Sequence, residues 1–171
     1  FKSFKNENCL DMEATSLKEH EYNIAKTENG DYLKIAAIYG ANASGKTNIL
    51  KAMSFMRTLV LNKYKIIQST DILPYSPFRL NTSTKESSSS FEMVFFIDEK
   101  KYRYGFELDN TTIYSEWLFE DEKGKEAKLF YRDIDEEDYV NNQKFKEGYS
   151  FFFFFNKKIN IAQNQLFLWV C

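Results

Sequence analysis

One stretch of this chain has the composition and spacing of a phosphate-binding loop. It runs from Gly40 to Thr47 with the sequence GANASGKT, and it fits the pattern G-x-x-x-x-G-K-[ST]. The two glycines let the backbone turn sharply and approach a phosphate, and successive N–H groups can then point at the anion. Lys46 would neutralise the outer phosphates and the Thr47 hydroxyl would bind Mg²⁺. The alternative is a strand-to-helix turn that contains glycines and an exposed lysine.

The segments on either side of this loop are the elements that would position it. Residues 33–39 (LKIAAIY) predict a buried strand, and residues 48–62 predict a helix that begins near Lys46. Such a helix presents unpaired N–H groups and the positive end of its dipole to the anion. Apolar residues cover nearly its whole circumference, so we expect it to be buried on several sides. The predicted binding residues are Gly40, Ala41, Asn42, Ala43, Ser44, Gly45, Lys46, Thr47 and Asn48, with Lys46 also catalytic and Thr47 also a metal ligand.

Length and composition limit the classes of protein to which the chain can belong. The chain has 171 residues, about one domain, and its net charge of −2 provides no basic field that would suggest nucleic acid. Cys9 and Cys171 form neither a metal-ligand spacing nor a disulfide framework, which is typical of a reducing cytosol, and we expect a cytoplasmic location. We identify no signal peptide and no apolar run of the ~18 residues that a membrane helix needs. His20 lies in a polar segment and predicts a solvated side chain.

The segments around this central region are less regular. Residues 1–4 and 9–12 each alternate apolar and polar residues, and across the polar turn between them they could pair as a hairpin. Residues 63–77 contain both prolines and predict mostly loop, and residues 81–90, which include four consecutive serines, predict an exposed loop.

An antiparallel meander is predicted between residues 91 and 133. Four alternating runs are joined by short polar turns near residues 98–101, 109–110 and 123–124. Their aromatic residues predict core and cross-strand packing. A base-stacking platform is the alternative, which the scarcity of interleaved lysine and arginine disfavours.

The last part of the chain carries three further patterns. The acidic run 135–138 predicts a solvated connector, although clustered carboxylates can also hold a metal. Five consecutive phenylalanines, Phe151–Phe155, predict a buried strand or a damaged end. Residues 163–170 could begin a helix. Both ends of the chain interrupt apolar segments, as expected of a partial domain.

These motifs resemble a known group of proteins. The loop, with Asn42 inside it and Asn48 directly after it, resembles that of the SMC, Rad50, RecF and OLD group of ABC-type ATPases, and residues 1–4 resemble the opening strand of that group. The strands around Tyr102–Glu107 and Glu116–Leu118 resemble the antiparallel subdomain of bacterial AAA-type ATPases of phage-defence and abortive-infection systems. The resemblance covers roughly residues 1 to 133, with residues 164–170 as a weaker addition.

The resemblance implies an α/β fold, a P-loop NTPase N-terminal lobe with a mixed sheet and an antiparallel meander. It divides the chain into strands, loop and first helix (1–62), antiparallel subdomain (91–133) and connector (134–171). It also implies ATP and Mg²⁺ as ligands and a second ATPase head as partner. A signature loop, a strand ending in Asp-Glu and an assignable switch histidine are not found in the sequence, and Gln143 and Gln163 are equal candidates for a residue that senses the γ-phosphate.

Three functional hypotheses follow from this resemblance. The first is the ATP-binding N-terminal part of an ATPase head from a phage-defence protein. The second is part of a DNA-repair ATPase of the RecF or Rad50 kind, for which nucleic acid would be a partner of the parent protein. The third is a nucleotide-dependent interaction module without turnover. Because the resemblance is to an N-terminal half-domain, the isolated chain is expected to bind nucleotide weakly, if at all, and not to turn it over.

Overall fold

The computed structural model describes residues 1–17, 19–81, 87–122 and 124–171, in which two antiparallel sheets and two α-helices are formed. A small sheet pairs two strands, β1 and β2, and a larger sheet has the order β3-β4-β5-β6-β7. Two short 3-10 helices are also formed in the described ranges. In chain order the elements are the 3-10 helix Glu21–Asn23, β1 Ile24–Thr27, β2 Gly30–Leu33, α1 Lys46–Val60, β3 Ser89–Ile97, β4 Lys100–Leu108, β5 Ile113–Glu122, β6 Lys125–Asp133, β7 Tyr139–Val140, α2 Lys146–Phe154 and the 3-10 helix Phe167–Trp169.

The predicted meander is confirmed and continues by one strand. β3 to β6 pair in sequence as antiparallel neighbours, and β7 adds to β6. Asp98 and Glu99 both have positive φ, 48° and 64°, which is the geometry of the tight hairpin turns that match strand twist. The predicted turn at 123–124 and the predicted loop 81–90 lie partly outside the described residues, at Lys123 and at 82–86. The predicted mixed sheet is not observed, because every strand pairing in the described ranges is antiparallel.

A bulge at the start of β5 decides which side chains face the core. Leu108 pairs with Ile113 but Glu107 pairs with Ser115, so Tyr114 has no partner in the ladder. The extra residue breaks the two-residue alternation of β5. Ile113 is buried before the bulge. After it Glu116, Leu118 and Glu120 are buried at two-residue intervals, Ser115 is buried as well, and Trp117 lies half-buried on the opposite face from Glu116.

The core joins the inner face of the large sheet to both helices and the C-terminal segment. The ring of Phe55 on α1 lies 5.0 Å from that of Phe91 on β3, and Phe130 on β6 lies 5.1 Å from Phe167. α1 begins at Lys46, where its start was predicted, and is buried along one stripe only, Phe55, Met56 and Leu59. The prediction of burial on several sides is therefore wrong, since Leu50 remains 62% exposed.

The predicted buried strand 33–39 is also wrong. Leu33 ends β2, and residues 34–39 form no strand and are exposed, Ile35 by 69% and Tyr39 by 89%. An apolar run makes burial favourable, but a strand also needs a neighbour to pair with. Among the described residues no strand pairs with this segment.

Three predictions for the chain ends are corrected. Residues 1–4 form a turn rather than a strand, with Phe4 N–H donating to Phe1 O. Residues 9–12 form no hairpin with them; instead Met12 O accepts from Leu33 N–H on β2, next to the bridge between Glu13 and Tyr32. The five phenylalanines belong to α2 and its end, where Phe152 is buried and Phe154 is 79% exposed. The helix expected over 163–170 is only the 3-10 helix Phe167–Trp169. Short-range apolar runs do not distinguish helix from strand.

Gly105 on β4 provides a test of the packing of the sheet. A Cβ there would lie 2.5 Å from Trp117 Cζ2 and 2.7 Å from the backbone oxygen of Phe91. We expect Gly105→Ala to lower the free energy of unfolding by about 2 kcal/mol, because the backbone of β3 cannot move aside cheaply. Urea unfolding monitored by circular dichroism measures this. Gly124→Ala is the control, because a Cβ on Gly124 would have no atom within 4 Å and the substitution is strained only by the positive φ of 79°. The interpretation fails if both variants lose the same free energy of unfolding.

Candidate functional site

The loop between residues 40 and 48 forms a turn that leads into α1. Ser44 N–H donates to Ala41 O at 3.3 Å, and Ala43 has a φ of 63°, in the left-handed region. Gly45 is the N-cap of α1 with φ 94° and ψ 2°. Because a side chain at that φ is strained, glycine is required at this position. The backbone therefore makes its sharpest turn directly before the helix.

A small cavity lies at the N-terminus of α1. It is lined by Ala43, Ser44, Gly45, Lys46, Thr47 and Asn48, and its volume is about 190 Å³. No side chain caps the helix in the described structure, so the N–H groups of Lys46 and Thr47 remain open to an anion, whereas Asn48 N–H donates to Gly45 O at 2.8 Å. Typical small-molecule pockets have at least ~300 Å³. The cavity is therefore sized for phosphate groups rather than for a whole nucleotide.

Lys46 lies folded over the loop that would bind the phosphates. Its Nζ donates to Gly40 O at 2.7 Å and to Ala41 O at 2.6 Å. The side chain is half-buried and its charge is held directly above the loop. When a phosphate binds, Lys46 Nζ would donate to its anionic oxygens instead of to these two carbonyls. Hydrogen bonds between charged partners are stronger than those to a neutral carbonyl.

Asn48, like Lys46, has a side chain that is already hydrogen-bonded, but its partner lies outside the loop. Asn48 Nδ2 donates to Ser3 Oγ at 2.8 Å, and Ser3 Oγ lies 2.7 Å from the position that a Cβ on Gly45 would occupy. Sequence reasoning missed Ser3, because nothing in a pattern of neighbouring residues links positions so far apart in the chain.

The structure brings the loop residues together but not the other candidates. The backbone N–H of Gln143 donates to Asn141 Oδ1 close to α2, and Gln163 O accepts from Ile113 N–H at the start of β5. The exposed His20 contacts Tyr22 through its ring nitrogen. In the described ranges no three His, Cys, Asp or Glu residues could hold a metal ion, and this covers the acidic run 135–138.

One carboxylate of the sheet is fully buried and lies outside the loop. Glu116 is fully buried and accepts hydrogen bonds from Tyr104 OH at 2.9 Å and from the N–H groups of Phe167 at 2.5 Å and Leu168 at 3.3 Å. Burial raises the pKa of Glu116 to about 7, although the Phe167 N–H and the nearby charge of Arg132 lower it. This group anchors the C-terminal segment to the sheet and lies apart from the loop.

Comparison with known proteins identifies the family. A family model described as "AAA domain, putative AbiEii toxin, Type IV TA system" matches residues 35–170, which include the loop, both α-helices and the large sheet. The chain belongs to this AAA family. Membership supports an ATPase-type, nucleotide-binding function. No similar curated protein and no similar solved structure was found.

Membership of the AAA family agrees with the loop as the site to consider first. Proteins of this family generally use ATP and Mg²⁺, and the donor groups at the start of α1 fit such a ligand: open backbone N–H groups, the Lys46 ammonium and the Thr47 hydroxyl. Neither helix in the described ranges is long and apolar enough to cross a membrane.

Proposed function

We propose that this chain is the ATP-binding N-terminal part of an ATPase head. One observation carries the proposal: residues 43–48 of the predicted phosphate loop, including Lys46, line one cavity at a helix N-terminus that no side chain caps. In this arrangement the backbone N–H groups of residues 41–47 hold the β and γ phosphates. Lys46 balances their charge, and Thr47 is the protein ligand of Mg²⁺.

The chemistry of such a site is positioning and charge stabilisation. ATP hydrolysis by P-loop proteins needs the phosphates fixed in place and their developing charge neutralised, and it needs little covalent chemistry from the protein. Lys46 is the residue of this chain that does so for the γ phosphate. The proposal also includes a second ATPase head as partner, in line with the resemblance to the SMC and OLD group.

A role of the parent protein in phage defence is the finer part of the proposal. It is supported by the resemblance of the antiparallel strands to abortive-infection ATPases and by the toxin-related description of the matching family. A DNA-repair role has no comparable support.

Titration calorimetry of the 171-residue chain tests the proposal directly. Mg²⁺–ATP is titrated in one arm, ATP with a chelator in the second and Mg²⁺–GTP in the third. We expect weak binding of Mg²⁺–ATP. Absence of any heat at millimolar Mg²⁺–ATP would reject the nucleotide-binding role. If the chain also hydrolyses ATP at a rate that Lys46→Ala abolishes, the hypothesis of an interaction module without turnover is wrong.

Thr47→Ala separates the metal from the nucleotide. We expect this variant to lose about tenfold in affinity for ATP when Mg²⁺ is present, since it removes a metal ligand, and to match the wild type in the presence of the chelator. Thr58→Ala is the control, because its hydroxyl lies in the same helix and donates to Ser54 O. An equal loss with and without Mg²⁺ would exclude Thr47 as the metal ligand.

A further inference from the structure

Ser3 lies directly beside the phosphate loop, although the chain between them is long. Its hydroxyl accepts the 2.8 Å hydrogen bond from Asn48 Nδ2, across 45 positions of sequence. Asn48 is in the first turn of α1 and lines the loop cavity. The bond therefore fixes one of the two amide donors of a residue that faces the candidate site.

Ser3 also fills the space next to the last glycine of the loop. Its Oγ lies 2.7 Å and its Cβ 3.6 Å from the position that a Cβ on Gly45 would occupy. The approach is close enough that only a residue without a side chain fits between Ser3 and the loop. Gly45 is thus needed for contact with Ser3 as well as for its positive φ.

The residues around Ser3 tie it to the core. The ring of Phe1 packs 5.1 Å from that of Phe91 on β3 and 5.6 Å from that of Phe55 on α1. Lys2 N–H donates to Ser76 O at 2.9 Å. Because the two residues that precede it are held in this way, Ser3 is tied to both the sheet and α1.

We propose that Ser3 is a positioning residue of the nucleotide site, which orients Asn48 and holds the exit of the loop at Gly45. The proposal rests on the nucleotide-binding function proposed above. Ser3 contacts the loop and not the phosphates, so its removal changes the affinity of the site through the orientation of Asn48. Its effect on affinity must then depend on Asn48 being present.

A double-mutant cycle in Mg²⁺–ATP affinity tests this dependence. Ser3→Ala and Asn48→Ala are each expected to weaken binding by about twofold to tenfold, the worth of one hydrogen bond. The double variant is expected to have the same Mg²⁺–ATP affinity as whichever single variant binds Mg²⁺–ATP less tightly. Ser150→Ala, which removes an exposed hydroxyl that donates to Lys146 O within α2, is the matched control and should bind like the wild type.

A second measurement needs no nucleotide. The side-chain amide signals of Asn48 in a ¹⁵N-labelled sample are expected to shift in Ser3→Ala and to stay unchanged in Ser150→Ala. Unchanged signals, wild-type affinity in Ser3→Ala, or losses that multiply in the double variant would each overturn the positioning role. If the wild type and Lys46→Ala both fail to bind Mg²⁺–ATP, the nucleotide-binding function itself fails and the positioning role with it. If Lys46→Ala loses affinity and Ser3→Ala does not, only the role of Ser3 is rejected.

Discussion

Replacement of Lys46 by alanine is expected to weaken Mg²⁺–ATP binding by about 10- to 100-fold, the worth of hydrogen bonds to a charged group. The Lys46 ammonium lies within 2.7 Å of Gly40 O and Ala41 O, beside the cavity, and it is the positive side chain that lines that cavity. Its loss removes the charge that balances the outer phosphates. Titration calorimetry at constant Mg²⁺ measures the change.

The effect of Lys46→Ala on folding should be small by comparison. The two carbonyls that accept from Lys46 lie at an exposed loop, where water can replace the ammonium. We expect the thermal unfolding midpoint without nucleotide to stay close to that of the wild type. Lys51→Ala is the matched control, since it removes an exposed lysine from the same helix. Equal nucleotide affinities for the two variants would contradict the assigned role of Lys46.

Replacement of Glu116 by alanine is expected to cost about 3 kcal/mol or more in the free energy of unfolding. The change leaves the hydroxyl of Tyr104 and the N–H groups of Phe167 and Leu168 without their acceptor inside the core. It also removes a carboxylate whose charge acts on the buried Arg132. Urea unfolding measures the loss, and the exposed Glu136→Ala is expected to stay within about 0.5 kcal/mol of the wild type.

The same residue predicts a pH dependence of stability. Because the pKa of Glu116 is raised to about 7 in the folded chain, the folded state binds more protons than the unfolded state between the two pKa values. This contribution to stability is present below the unfolded pKa and is lost as pH rises through about 7. We expect the wild type to be less stable at about pH 7.5 than at about pH 5.5, and Glu116→Gln to show a much smaller difference. Equal pH dependence in both proteins would show that another group is responsible.

The elements that were predictable are those with local signals. The loop is defined by two glycines, a lysine and a threonine within a short stretch, and α1 follows it directly. The meander is equally local, because each strand is joined to the next by a short turn and alternates with a period of two. In both cases the residues that determine the structure are close neighbours in the chain.

The features that were missed depend on contacts between distant residues. Glu116 enters the core because the bulge at Tyr114 shifts the alternation of β5, and its partner Phe167 lies 51 positions away. The apolar segment 34–39 has the composition of a strand, but composition does not reveal whether a neighbouring strand is present. Ser3 contacts Asn48 across 45 positions of sequence. Patterns of neighbouring residues hold no information about such pairs.

Trp169 gives the chain an optical reporter at the far end of the loop helix. Its indole Nε1 donates to Leu59 O at 3.2 Å and to Val60 O at 3.1 Å, the carbonyls of the last turn of α1. The 15 residues of that helix place this indole about 22 Å from the phosphate loop. The second of the two tryptophans, Trp117, donates to Glu92 on the outer face of the sheet. In a Trp117→Phe background, the emission of a single fluorophore therefore follows the position of α1 without any added dye.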